Sequence, residues 1–371
     1  MDSRYHINDT SEIISPAVVV FRDIVRQNLD RMLEIAGDPS RLRPHCKTHK
    51  MPAVVQLQLE RGIHKHKCAT FAEAEMLADA GADDILLAYN LVGPNIHRAV
   101  EFVQKYPQVT FSCTADHPAP LQQLSEAMAA AGCTIDVLVD IDTGQHRTGL
   151  PAGDEAFSLY RQIVESEGLV PGGFHVYDGH QHQSDRDERR KAIAAEWKNV
   201  VALRDRLEAE GWPVPRLVAG GTASFPIHAE NSDPAIELSP GTCVFHDVGY
   251  GGKFPDLDFT PAALLLTRVV SRPTASRLTT DLGYKAVASD PPAGSRVEFP
   301  DLPDAEQVLQ NEEHLVLETD RAGEFAPGDE LLGIPRHICP TSALHRQVYV
   351  VEGGEVVDRW DVTARDRQLT V

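Results

Sequence analysis

Residues 64–88, HKHKCATFAEAEMLADAGADDILLA, read as an extended run at 64–69, a helix over Phe71–Ala80 and a second extended run at 84–88. A helix set between two short strands is the unit from which parallel sheets are built, because a crossover must return the chain to the same edge. The alternation continues on both sides. Further extended runs stand at 41–46, 108–112, 135–141, 171–177, 215–219 and 235–238, with helical patterns between most of them, the longest at Arg186–Glu210. Eight strand-and-helix repeats predict an α/β fold, a closed (β/α)8 barrel of TIM type rather than an open sheet.

Outside the repeats the texture changes. Ala17–Phe21 (AVVVF) reads as a strand and Asp23–Ile35 as an amphipathic helix stopped at Gly37. Beyond Gly249-Tyr250-Gly251-Gly252 come Pro-rich turns and short β-rich runs (LLLTRVV, HLVLE, RQVYVV), with no helical pattern. The expected organisation is a barrel domain over residues 1–254 and an all-β domain over 255–371, and residues 1–21 can pair with either.

Composition narrows the function. A chain of 371 residues that is 42% apolar and 24% charged can bury a large core. A formal net charge of −20 argues against nucleic acid or an anionic membrane as partner, since phosphate binding needs a basic surface. The start, MDSRYHINDT, has no basic head followed by an apolar run, and the longest apolar runs (AVVVF, AALLL) are far too short to cross a bilayer. The expected location is therefore cytoplasmic. Six cysteines without a CxxC pair read as reduced thiols.

In barrels of this type the chemistry sits on the loops that follow the strands. The unusual residues collect there. After the first strand comes Arg43-Pro44-His45-Cys46-Lys47-Thr48-His49-Lys50. Neighbouring positive charge and burial both disfavour another ammonium, so Lys47 is a candidate neutral amine able to condense with a carbonyl. Asp142-Thr143-Gly144-Gln145-His146-Arg147-Thr148-Gly149 follows the fifth strand and Tyr177-Asp178-Gly179-His180-Gln181-His182 the sixth. Gly220-Gly221-Thr222 and Ser239-Pro240-Gly241-Thr242 follow the seventh and eighth, where backbone N–H groups freed by glycine and hydroxyls can cradle a phosphate. An imine-forming lysine facing a phosphate cradle implies a ligand with an aldehyde and a phosphate, of which pyridoxal 5′-phosphate is the obvious example. In the β domain, Arg336-His337-Ile338-Cys339-Pro340-Thr341 places an imidazole and a thiolate two residues apart. In an extended segment both point to one side, where they can ligate a divalent metal; zinc suits this pair and manganese is not excluded.

Taken together, the RPHxKTHK run with Lys47, the Asp142–Gly149 segment, Gly221-Thr222, Pro240-Gly241 and His337-x-Cys339-Pro-Thr resemble the metal-dependent D-threonine aldolase and D-serine dehydratase group of alanine-racemase-like proteins. Weaker echoes run along nearly the whole chain, among them Thr70 with Glu73 and Glu75, Asp281-x-Gly283-x-Lys285-Ala286 and Glu313-His314. The resemblance implies a barrel that binds pyridoxal phosphate, a β domain that supplies a divalent metal, D-β-hydroxy amino acids as substrates and a homodimer. It implies Lys47 as the Schiff-base lysine, Arg147 beside the cofactor ring oxygen, Tyr177 at the cofactor, Gly221, Thr222, Gly241 and Thr242 at its phosphate, and His337 and Cys339 on the metal. Two positions depart from the pattern. Alanine racemases carry an arginine before the Pro-Gly of the eighth strand, whereas here the residue is Ser239, and the segment after strand six differs from its relatives. By position His182 then becomes the candidate for the pyridine nitrogen, and His180 and His182 are candidate bases or extra metal ligands.

The expected reaction is a lyase reaction of the D-threonine aldolase type, a retro-aldol cleavage to glycine and an aldehyde. A D-serine or D-3-hydroxyaspartate dehydratase on the same residues is the alternative. A non-catalytic carrier of pyridoxal phosphate and a metal-dependent barrel hydrolase built on His180 and His182 are more distant readings.

Overall fold

The computed structural model describes residues 3–371, which divide into two units. One comprises Met32–Lys47, Val54–Gly241 and Asp366–Val371; the other comprises the chain up to Arg31, Thr48–Ala53 and Thr242–Arg365.

The first strand in the chain, β1 (Ala17–Phe21), belongs to the second unit. The first unit is built on β2 (Lys65–Cys68), β3 (Asp84–Asn90), β4 (Thr110–Ala115), β5 (Ile135–Asp140), β6 (Leu169–Val176), β7 (Leu217–Ala219) and β8 (Ile236–Leu238). They pair in that order, all parallel. Runs such as IDVLVD are apolar at nearly every position because a strand in a barrel is covered on both faces. Leu86, Leu138 and Val218 meet in the middle, each at most 1% exposed.

The expected first strand, 41–46, is not a regular strand. Leu42 makes a single parallel bridge to Leu238 and His45 another to Lys67, and these two bridges join β8 to β2 and close the ring. Arg43 N–H donates to the Leu238 carbonyl at 2.8 Å, His45 N–H to the Pro240 carbonyl at 2.9 Å, and Lys67 N–H to the Pro44 carbonyl at 2.9 Å. Pro44 has no N–H to give and restricts the residue before it, so the ladder is broken there and the chain turns into a short 3-10 helix at Cys46–Thr48. Ions seal the same place. The fully buried Arg43 guanidinium reaches Glu237 at 2.5 Å and Asp84 at 2.8 Å, and Lys65 reaches Glu237 at 2.8 Å. Within β6, Gly173 has φ +99°, and a Cβ there would stand 2.0 Å from the Arg216 carbonyl oxygen, so only glycine fits.

The second unit is a sheet of short strands: β9 (Ala263–Thr274), β10 (Arg277–Thr280), β11 (Val297–Glu298), β12 (Glu306–Gln310), β13 (Leu315–Glu318), β14 (Glu330–Pro335), β15 (Gln347–Glu352) and β16 (Glu355–Asp361). Its path is β12-β13-β10-β9-β1-β15-β16, with β14 on β9 and β11 on β14. Strand β1, apolar throughout and buried at every residue, lies parallel to β15 and antiparallel to β9. Contrary to the sequence expectation, this unit also holds a helix at Ile338–Leu344. Its Pro340 is in the first turn, where no N–H is needed, and Ile338 N–H donates to the Asp247 carboxylate at 3.1 Å.

All six cysteines are free thiols. Among the described residues no helix is long and apolar enough to cross a membrane.

Candidate active site

Lys47 sits in the 3-10 turn that follows the closing segment. Three contacts hold this turn: Lys47 N–H donates to His45 Nδ1 at 3.3 Å, Cys46 Sγ lies 3.7 Å from Glu73 Oε2, and the same oxygen accepts Ala69 N–H at 2.6 Å. The buried His45, Cys46 and Glu73 bring their donor atoms within 4.8 Å of one another, a grouping that spacing alone does not reveal.

The Tyr177 ring, at the end of β6, gathers the cations. Lys47 Nζ and Lys67 Nζ each lie 5.9 Å from its centroid and the Arg147 guanidinium carbon lies 4.9 Å away. Glycine makes room for the ring, since a Cβ on Gly179 would stand 2.2 Å from the Tyr177 hydroxyl and one on Gly221 would stand 3.0 Å from its Cε2. Arg147 comes from a loop wound round Asp142, whose carboxylate accepts Gly144 N–H at 2.9 Å and His146 N–H at 3.0 Å.

Sequence reasoning singled out Lys47 and missed Lys67. Lys67 is 2% exposed, and burial, with the positive charge of Lys47 next, brings it down to about 7 against the pull of Asp178 and Asp140. Those two carboxylates are engaged elsewhere. Asp140 meets His175 Nδ1 at 2.7 Å, while Asp178 accepts the Ser224 hydroxyl at 2.6 Å and meets His228 Nε2 at 2.7 Å. Burial would raise both carboxyls, yet these hydrogen bonds hold them below the usual carboxylate range. His175 was also missed. Burial holds its imidazole below its ordinary value, and its Nε2 is a buried nitrogen with no hydrogen-bond partner. In a strand of alternating faces it was one more interior position; the only signal was a histidine two residues before Tyr177.

The expected phosphate loops are tied to each other by Gly241 N–H, which donates to Thr222 Oγ1 at 3.2 Å; within the loop after β7, Gly221 N–H donates to Ser224 Oγ at 3.0 Å. Thr222 and Thr242 are buried. Ser239, which replaces the racemase arginine, donates its hydroxyl to the Arg43 carbonyl at 3.0 Å. His180 Nε2 lies 3.0 Å from Glu196 Oε1, and its Nδ1 is buried without a partner. His182 is solvent-exposed in the same loop.

In the β unit, His337 and Cys339 do not share an extended segment. His337 is the N-cap of the Ile338–Leu344 helix and Cys339 its second residue. Their side chains still meet. Burial opposes charge on both, but the hydrogen bond between them prevails, lifting His337 to about 9 and lowering the Cys339 thiol. Behind the imidazole, His337 Nδ1 meets Asp290 Oδ2 at 2.6 Å, the carboxylate backing that metal-ligating histidines carry. Cys339 Sγ lies 3.2 Å from Thr48 Oγ1 and 3.5 Å from Thr242 Oγ1; in the chain these threonines follow Lys47 and Gly241 directly.

Comparison with known proteins adds the following. Residues 21–247 match the alanine racemase N-terminal domain and residues 262–351 a putative serine dehydratase domain. The chain is 32% identical to a D-threonine aldolase from Arthrobacter sp., over 87% of this chain and 85% of that protein. It is 28% identical to a 3-hydroxy-D-aspartate aldolase from Paracoccus denitrificans, over 97% and 94%. The crystal structure of a D-threonine aldolase from Filomicrobium marinum superposes with a TM-score of 0.88 at 31% identity, covering 95% of this chain and 96% of that one.

Proposed function

Because the chain belongs to the alanine-racemase-like family whose barrel is joined to a serine-dehydratase-type domain, we propose that it is a lyase of D-β-hydroxy amino acids that uses pyridoxal phosphate and a divalent metal. Its main reaction in this reading is retro-aldol cleavage to glycine and an aldehyde. The observation that carries it is the group of Lys47, Lys67 and Arg147 round one ring at the barrel mouth, beside the tied Thr222 and Gly241 loops.

The residues fit both groups. The orphaned Nε2 of His175 is a hydrogen-bonding atom in wait for a partner, and the Tyr177 ring, seated against Gly179 and Gly221, has Lys47, Lys67 and Arg147 gathered round it. His337 and Cys339 offer a nitrogen and a sulfur, with Asp290 fixing the imidazole. When bound, the cofactor supplies an electron sink for the charge left at Cα and the metal a Lewis acid for the β-hydroxyl. Lys47 would be the amine for the aldehyde carbon, Thr222, Gly241 and Thr242 would hold the phosphate, and Arg147 would lie by the ring oxygen. His180 is the base for the hydroxyl proton: with Nε2–H given to Glu196, its Nδ1 lone pair is the one free to accept.

A dehydratase is the second reading, favoured by the match of the β unit to a serine dehydratase domain. There Lys47 takes the α-proton and the hydroxyl leaves. Incubation with D-threonine and D-serine, with and without a chelator, separates the two. Glycine and acetaldehyde, lost on chelation, support the aldolase; ammonia with 2-oxobutyrate or pyruvate overturns it in favour of the dehydratase.

A further inference from the structure

The cofactor reading leaves one strongly buried cation without a task. Lys67 comes from the interior of β2, 2% exposed, and among the described residues its ammonium makes no ion pair with a carboxylate. A buried lysine with no counter-ion is costly, and proteins retain such groups where an anion is to be met.

The chemistry of the ring says which anion. In pyridoxal phosphate the ring carbon that bears the aldehyde stands between two neighbours, the carbon that bears the phosphate arm and the carbon that bears the phenolic oxygen. The barrel repeats that order. The phosphate loops follow β7 and β8, Lys47 follows the segment bridged to β8 on one side and to β2 on the other, and Lys67 lies on β2 as the register partner of His45. Going round the barrel, the groups are phosphate cradle, imine lysine, then Lys67, matching phosphate arm, aldehyde, then phenol going round the ring.

Resting on the cofactor reading above, we propose that Lys67 is the donor that holds the phenolic oxygen of the bound ring, jointly with Arg147, and so fixes the ring's orientation against Lys47. An amine near neutrality in the empty chain is suited to this, because the arriving phenolate stabilises its protonated form. The role is distinct from imine formation, since Lys67 never needs to form a bond with carbon.

The test uses the full chain freed of cofactor, as wild type, Lys67→Met, Lys67→Gln and Lys67→Arg. Two probes are titrated, pyridoxal 5′-phosphate and its 3-O-methyl ether, in which the phenol is capped and cannot be anionic. Binding is read by tryptophan quenching, and imine formation by absorption and borohydride fixation. Loss of a charge-assisted hydrogen bond predicts that Lys67→Met and Lys67→Gln bind pyridoxal phosphate about tenfold or more weakly. Their affinity for the ether changes by no more than about threefold, and Lys67→Arg recovers part of the loss. An equal loss for both probes marks Lys67 as merely structural and overturns the proposal, as does an unchanged affinity for pyridoxal phosphate. Wild type that binds both probes equally also overturns it, without reliance on any variant. Wild type that takes up neither probe removes the cofactor reading itself, which is a separate outcome.

Discussion

Replacement of Glu237 by glutamine tests the closure on which Lys47 depends. Glu237 is 6% exposed, and its two carboxylate oxygens reach Arg43 at 2.5 Å and Lys65 at 2.8 Å. Burial alone would raise this carboxyl, but Arg43 and then Lys65 bring it down to about 2. An unfolded glutamate titrates near 4.3, so the gap of roughly two units corresponds to about 3 kcal/mol of stability carried by the charged form. The folded value is the depressed one. The contribution is therefore complete above about pH 5 and is lost as pH falls through the folded value, with about half remaining near pH 3. Glutamine keeps the shape and removes the charge, leaving Arg43 with Asp84 as its remaining carboxylate. The variant should lose about 3 kcal/mol at pH 7, and the difference from wild type should shrink to about half that at pH 3. Urea unfolding followed by Trp197 and Trp212, both in the barrel unit, with Trp360→Phe as background, reads this transition. A difference that stays constant from pH 7 to pH 3, or that is below about 1 kcal/mol at pH 7, refutes the reasoning.

Lys47→Met should abolish the borohydride-fixed adduct of pyridoxal phosphate; an adduct of wild-type yield, mapped by mass to another lysine, assigns the imine elsewhere. Asp290→Asn should weaken divalent metal binding by about 10- to 100-fold, read by competition with a chromophoric chelator, because the imidazole loses the carboxylate that orients it. An unchanged affinity would mean that His337 ligates nothing. Gly173→Ala must force a Cβ against the Arg216 carbonyl at φ +99°, and should cost about 3 kcal/mol or more in thermal or urea unfolding. A melting temperature equal to that of wild type contradicts the fit.

The barrel was legible in the sequence because strands β3, β5 and β6 are apolar runs separated by helices with clear ends, and nothing in tertiary structure overrides such a pattern. Two places were not legible, and proline is the cause in both. At 41–46 the composition is that of a strand, but Pro44 removes one ladder donor, and the ring is closed by two single bridges and a buried ion group instead. At 338–344 Pro340 reads as a breaker, yet in a first turn it breaks nothing. His337 and Cys339 were therefore paired for the wrong backbone reason, through a shared strand face. They meet because an N-cap and the second residue of a helix can also bring their side chains together.

The candidate site shows a different limit. The loops after the strands, with Lys47, Arg147, Thr222 and Gly241, were legible because unusual residues there have no packing reason to recur. The electrostatic argument for Lys47 was built on cations adjacent in sequence, and the structure disperses them. Arg43 is enclosed by Glu237 and Asp84, the Lys50 ammonium donates to the Ala364 carbonyl at 3.4 Å, and His49 Nδ1 accepts Met51 N–H at 3.1 Å. The charge of Lys47 acts instead on Lys67, twenty residues on, which is delivered by the bridge between His45 and Lys67. Charge density along a chain thus predicts little about charge density at a point, because each residue of a run can point a different way. A strand register fixes two side chains on one face, so the strand pairing, which composition cannot reveal, decides which lysine shares the barrel mouth with the imine-forming one.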